Sequence, residues 1–192
     1  DLLHTTNEND FNKLFSRIEK YENISDNMEL EIANYLNNVS EGRLSSESKL
    51  EIRGMLREVT EIESIGDSCY NLARTVNRKR TGGNDFTEKQ YEHIHQMMQL
   101  TENALKHMVA IVEDDAHVVD VNHSFNIENE MNNYRSQLKN QNILDVNNKE
   151  YDYQMGVHYM DLIGECEKLG DYVVNVVEAR TNVKEKKTNE NR

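Results

Sequence analysis

The sequence predicts an all-α protein built as an elongated bundle of antiparallel helices. Three observations indicate this fold class. The 192 residues include no proline and only 8 glycines, so the residues that most often break helices are scarce. Only 36% of the residues are apolar and the mean hydropathy is −0.85, values typical of narrow apolar stripes on solvated helices. Along these stripes the apolar residues recur at intervals of three and four, the period of a helix.

Two breaks divide the N-terminal half into helices. Residues 38–48 contain a glycine and a run of serines, of which Ser45 is spaced to cap a following helix. Residues 80–85 contain Gly82 and Gly83, which end one helix before the next begins. The predicted helices of this half therefore cover residues 7–39 and 47–79.

Helix-breaking signals are weaker in the C-terminal half of the sequence. Polar residues near 114–124 divide one long helical run into two helices in line, and residues 141–148 predict a turn. Residues 184–192 contain no apolar side chain and predict a disordered tail. The predicted helices of this half cover residues 86–112, 118–139 and 149–182.

The charge balance excludes some classes of partner. Thirty-five acidic residues against 22 basic ones give a net charge of −13, which repels nucleic acids and anionic bilayers. No segment approaches the roughly 20 consecutive apolar residues of a membrane-spanning helix. Cys69 and Cys166 are too few for a disulfide framework and fall on the apolar stripes, which predicts that both are small core residues.

A stretch of the second helix recurs 104 positions later, in the last helix. Residues 61–71 align with residues 165–175, and both copies carry Glu, Glu, Gly, Asp and Asn at the same five positions. The apolar positions between them stay apolar but change in identity. Because packing alone would preserve the stripe and not the polar face, the repeat indicates a property that belongs to the polar face.

The repeated polar face carries carboxylates one helical turn apart. Glu63, Asp67 and Asn71 follow at intervals of four, which predicts three oxygen-bearing side chains on one face of the second helix. Like charges at this spacing repel each other, so a metal cation or basic side chains should lie against the row. The candidate basic partners are Arg53, Arg57 and Arg74.

A similar pair stands in the first helix. Glu22 and Asp26 repeat the spacing, and the counterpart pair in the second half is Glu128 with Asn132, where an amide replaces one carboxylate.

No sequence motif indicates an enzyme. Glu92-x-x-His95 is a single copy of an element that di-iron bundles need twice, and phosphate-binding loops and nucleophile motifs are absent from the sequence.

The two repeated segments resemble a known family. Residues 60–73 and 164–177 are similar to the paired Glu-x-x-x-Asp signatures of PhoU and PhoU-like domains. The resemblance extends over about residues 7–182. It is strongest to the PhoU-like domain at the C-terminal, cytoplasmic end of bacterial sodium/phosphate cotransporters of the type II-related kind.

The resemblance implies two PhoU-like three-helix units in tandem: residues 1–116 as the first, residues 117–183 as the second and incomplete unit, followed by the tail at 184–192. It also implies a metal cation, one of iron, zinc, manganese or nickel, held by carboxylates of both repeats. The candidate ligands are Glu63, Asp67, Glu167, Asp171, Glu22 and Asp26.

The resemblance further implies a non-enzymatic regulator of phosphate ion transport at the cytoplasmic face of the cell membrane. The expected partners are a transmembrane transporter segment of the same chain and a metal ion. A second copy in a homodimer is a further expected partner, because an incomplete bundle exposes apolar surface. The alternative is a stand-alone PhoU-type protein that contacts a transporter and a sensor kinase.

Overall fold

The computed structural model of the chain is a bundle of five α-helices, with no strand among the residues described. It describes residues 2–82, 85–113 and 121–190, with side chains described as far as residue 181. The helices are α1 (Glu8–Ser40), α2 (Ser46–Thr81), α3 (Glu88–Glu113), α4 (Val121–Asn147) and α5 (Tyr153–Glu190). The predicted all-α fold class is confirmed. None of the helices, within this described part, is long and apolar enough to cross a membrane.

Polar caps begin the first two helices where the sequence places them. The backbone N–H of Asp10 donates to Oδ1 of Asn7 at 3.1 Å, and the backbone N–H of Ser48 donates to Oγ of Ser45 at 3.0 Å. Each bond satisfies one of the N–H groups that the first turn of a helix leaves unpaired.

The helices pack as two groups joined along one interface. α3, α4 and α5 each contact the other two, which makes a complete three-helix unit. α1 packs against α2, and α2 packs along α5 in the most extensive helix–helix interface of the chain. The described residues of α3 do not pack along α1 or α2, although Nζ of Lys79 at the end of α2 donates to the hydroxyl of Tyr91 on α3 at 2.9 Å.

This grouping differs from the predicted one, in which the incomplete unit is C-terminal. The two-helix unit is instead N-terminal, because the buried face of α3, including Ile94 and Met97, belongs to the core it shares with α4 and α5. The predicted boundary between residues 116 and 117 lies outside the described residues. The tail predicted at 184–192 overlaps the end of α5, whose backbone is described as helical as far as Glu190 without its side chains, so the boundary and the tail both stay predictions.

The core runs along α5, where Leu162 and Ile163 are fully buried. Cys166 is also buried, and burial raises the pKa of its thiol to about 12, which keeps it protonated and unreactive. Cys69, on α2, is exposed. The prediction of two core cysteines is therefore right for Cys166 and wrong for Cys69.

The turn predicted at 141–148 is also displaced. α4 continues to Asn147, and within it the side-chain amide of Gln141 donates to Oδ1 of Asp145, one turn later, at 2.7 Å. The chain reverses over residues 148–152 instead, where Lys149 adopts a positive φ of 62°. Asparagines that favour a turn in isolation are accommodated here inside a packed helix.

Candidate functional site

Three carboxylates converge between α1 and α2. Glu22 and Asp26, one turn apart on α1, lie beside Asp67 of α2, and one oxygen of each lies within 4.8 Å of the other two. These residues are three of the six predicted metal ligands. Elsewhere in the described chain no three Asp, Glu, His or Cys side chains come together in this way.

Glu63, one turn before Asp67, adjoins the three converging carboxylates. Its partial burial, together with the charges of Asp67, Asp26 and Glu29, raises the pKa of Glu63 above its usual value. Partial burial and the charges of Asp26 and Asp67 also raise the pKa of Glu22. We call Glu22, Asp26, Glu63 and Asp67 the acidic cluster.

The acidic cluster has no basic partner among the described side chains. Of the predicted partners, Arg57 pairs with Glu178 at 3.1 Å, and the guanidinium carbon of Arg74 lies 5.8 Å from the ring centre of Tyr70. Oδ1 of Asp26 is shielded from solvent and accepts no hydrogen bond from the described residues. Because such an oxygen is costly to bury unpaired, the cluster fits a cation.

Two repeated glycines let paired helices approach each other. A Cβ atom on Gly66 would lie 3.2 Å from Oγ of Ser25 on α1, and one on Gly170 would lie 3.0 Å from Sδ of Met131 on α4. A glycine inside a helix costs about 1 kcal/mol relative to alanine. That cost is explained at both positions by the close approach of the neighbouring helix.

Arg135 lies beside the second carboxylate row, which consists of Glu167 and Asp171 of α5. Glu167 lies on α5, where Nε of Arg135 from α4 approaches its Oε1 to 3.0 Å. Partial burial raises the pKa of Glu167 and of Asp171, and the charge of Arg135 opposes both shifts. Asn132 stands where α1 has an aspartate, and its amide donates to Glu128. Glu167 and Asp171 are not among the converging carboxylates, and Glu167 is paired with an arginine.

Arg135 is the residue that sequence reasoning missed. The offset of 106 residues that relates Glu22 to Glu128 also relates Glu29 to Arg135. The first half thus has an acid where the second half has a base. The exchange of Glu29 for Arg135 can be found from the sequence alone, by extending the alignment of α1 with α4 two helical turns beyond Glu22 and Glu128.

Two further positions of the repeat are explained by packing. The side-chain amide of Asn175 donates to Oε2 of Glu61 at 3.0 Å, and that of Asn71 donates to Oε1 of Glu165 at 3.5 Å. Oγ of Ser68 also donates to Oε1 of Glu165, at 2.8 Å. Each glutamate thus accepts from the asparagine of the other repeat across the α2/α5 interface. Asn71, predicted to extend the carboxylate row of α2, thus bonds across to α5.

The acidic cluster makes the stability of the metal-free protein depend on pH. Since the pKa values of Glu22 and Glu63 are raised in the folded state, the folded chain binds more protons than the unfolded chain just above the usual value of 4.5. The stability contributed by this proton binding is present at lower pH and is lost as pH rises through the raised pKa values.

We therefore expect Glu22→Gln with Glu63→Gln to stabilise the metal-free protein at neutral pH relative to the wild type, with a smaller gain in mild acid. Urea unfolding of both proteins from mildly acidic to neutral pH measures the difference. A gain that stays constant across this range would contradict the electrostatic origin.

The comparison with protein families gives a match. The family described as PhoU domain matches residues 94–179, somewhat less than half of the chain. The matched residues cover most of α3, all of α4 and most of α5, which are the three helices of the complete unit. No curated protein matches the chain at a significant level.

The chain is also similar to a solved structure. It superimposes with a TM-score of 0.72 on the crystal structure of the phosphate transport system regulatory protein PhoU from Streptococcus pneumoniae. The superposition covers 90% of this chain and 79% of the pneumococcal chain, with 16% sequence identity. This likeness establishes that the two proteins share a helical fold.

Proposed function

We propose that the chain is a regulatory domain of the PhoU family that takes part in the control of phosphate ion transport and catalyses no reaction. The observation that carries this proposal is the PhoU domain match at residues 94–179, which coincides with the complete three-helix unit. The shared fold with a phosphate transport system regulatory protein supports it. The duplicated carboxylate segments give further support, since they resemble the signatures of the same family and the first copy, residues 60–73, lies outside the matched range.

Within that family, the repeated segments favour a regulatory domain of a sodium-dependent phosphate transporter. In that arrangement the transporter segment belongs to the same polypeptide, and the domain lies at the cytoplasmic face of the membrane. The second candidate is a stand-alone PhoU-type protein that contacts a separate transporter and a sensor kinase. Its support is the pneumococcal PhoU, which shares the fold over most of both chains.

The open reading frame that encodes the chain distinguishes the two arrangements. Several apolar segments of about 20 residues in the same frame would support the transporter domain. A frame without such segments would support the stand-alone protein and overturn the transporter arrangement.

We also propose that the acidic cluster binds a metal cation. Glu22, Asp26 and Asp67 each direct one oxygen to a common region, and Oδ1 of Asp26 has no hydrogen-bond donor among the described residues. Bound there, a divalent ion would neutralise mutually repelling carboxylates and hold α1 against α2. Because the donors are all carboxylate oxygens, manganese suits the cluster best among iron, zinc, manganese and nickel.

Glu167 and Asp171 are weaker candidate ligands. Arg135 already supplies a positive charge to Glu167, and Asn132 stands in place of a carboxylate on the facing helix. We therefore expect one metal site per chain, in the acidic cluster, with the second row held by the arginine.

Elemental analysis of protein purified without chelators or metal-affinity resin tests the metal proposal. We expect stoichiometric metal in the wild type and loss of that metal in Asp26→Asn with Asp67→Asn. The matched control is Glu31→Gln with Glu47→Gln, which neutralises one exposed carboxylate on each of the same two helices. Metal that persists in the cluster variant, or none in the wild type, would overturn the proposal.

A further inference from the structure

α1 carries a second apolar stripe that no described helix covers. Its members are Tyr21, Ile24, Met28, Ile32 and Tyr35, between 36% and 69% exposed. At 100° per residue they fall within about 80° of one another around the helix axis. Of the described helices only α2 packs against α1, and it does so on another face. We call these five residues the α1 stripe.

Two positions of the corresponding face in the other repeat are buried. Positions 106 residues after Tyr21 and Ile32 are Ile127 and Leu138 of α4, which are 7% and 4% exposed. The counterpart of Met28 is Tyr134, whose hydroxyl donates to Oε1 of Gln96 on α3 at 2.9 Å. In the complete unit, α3 thus packs over this face of α4.

The same contrast extends to α2 and α5. Met55 and Ile62 of α2 are 45% and 39% exposed. Their counterparts 104 residues later, Tyr159 and Cys166, are buried, and Nδ1 of His93 on α3 lies 2.8 Å from the hydroxyl of Tyr159. The α1/α2 pair therefore presents to solvent the face that a helix covers in the α4/α5 pair.

The order of residues in the α1 stripe is symmetric about Met28. Isoleucines stand four residues before and after it, and tyrosines stand seven residues before and after it. When two such helices pack antiparallel about a two-fold axis at Met28, Tyr21 of one lies against Tyr35 of the other. Ile24 then lies against Ile32, which makes the stripe self-complementary, as a two-fold interface requires.

We propose that a second copy of this chain covers the face, with the two α1 helices antiparallel and the two-fold axis at Met28. In this dimer, α1 of each copy packs against the α1/α2 pair of the other copy, as α3 packs against the α4/α5 pair within one chain. α3 likewise runs antiparallel to its neighbour, since Gln96 meets Tyr134 while His107 meets His123.

The available surface is sufficient for a stable dimer. The exposed part of the α1 stripe, together with Val39, Met55 and Ile62, amounts to roughly 700 Å² per copy, close to the about 800 Å² of a standard interface. Tyrosine and methionine are also among the side chains enriched in the cores of interfaces.

Sedimentation equilibrium of the purified chain tests this proposal. We expect a dimer whose dissociation constant rises at least tenfold in Met28→Lys, because the substitution places two like charges on the axis. The matched control is Leu30→Lys, at an equally exposed position about 200° around α1 from Met28, with an expected change of less than threefold. A monomer at all concentrations, or a dimer that Met28→Lys leaves intact, would overturn the proposal.

A cross-link tests the position of the axis. In a Cys69→Ser background, Met28→Cys should form a disulfide between two chains on mild oxidation, since only a residue near the axis meets its own copy. Leu30→Cys should not form one. A disulfide at Leu30→Cys with none at Met28→Cys would overturn the proposed axis, and circular dichroism checks that each variant is folded.

Discussion

Mn²⁺ added to the metal-free protein is expected to raise its free energy of unfolding by about 2.7 kcal/mol when the free ion is at about 100 times its dissociation constant. The ion stabilises the folded chain because Glu22, Asp26 and Asp67 meet only when α1 packs on α2. In the unfolded chain these residues are separated and bind the ion weakly. Urea unfolding with and without Mn²⁺ measures the difference.

The double variant Asp26→Asn with Asp67→Asn should be more stable than the wild type without Mn²⁺ and less stable than the wild type with it. Without metal we expect the variant to exceed the wild type by a few tenths of a kcal/mol, because repulsion between neighbouring carboxylates is removed. With Mn²⁺ the wild type should be the more stable protein. Glu31→Gln with Glu47→Gln should keep the full response to the ion. An equal response in the cluster variant would contradict the assignment of these ligands.

Leu138→Ala is expected to lower the free energy of unfolding by about 2–4 kcal/mol. Leu138 is 4% exposed between the helices of the complete unit, so truncation leaves a cavity in a close-packed region. The equivalent substitution in the first repeat, Ile32→Ala, removes a side chain that is 36% exposed and should cost less than about 1 kcal/mol in the monomer.

Urea unfolding at a protein concentration that keeps the chain monomeric compares the two variants. Their difference measures how unequally the two repeats are packed. Similar losses for Leu138→Ala and Ile32→Ala would contradict the grouping of α3 with α4 and α5.

The repeat in the sequence predicted much of the site because a helix turns by a fixed angle per residue. Spacing alone placed Glu22 with Asp26 and Glu63 with Asp67, and the structure brings both pairs to one interface. Gly66 was likewise predicted to mark a close approach, and Ser25 of α1 is the group that approaches it.

Other features depend on which helices pair, which spacing within one helix does not determine. Asn71 has the spacing of the carboxylate row but bonds to Glu165, because α5 lies on that side of α2. Cys69 has the spacing of a core residue but stays exposed, because α3 packs in the other repeat. Recognising Arg135 as the partner of Glu167 requires α1 to be aligned with α4 as well as α2 with α5.

The measurement that tests the central proposal most directly is phosphate uptake by cells that produce the natural protein with Asp26→Asn and Asp67→Asn. We expect uptake, or its dependence on external phosphate, to change while the amount and helical content of the protein stay the same. Glu31→Gln with Glu47→Gln should leave uptake as in the wild type. Uptake that is unaltered in cells lacking the whole protein would contradict a role in phosphate transport, and uptake unaltered only in the cluster variant would contradict the acidic cluster as the regulatory site.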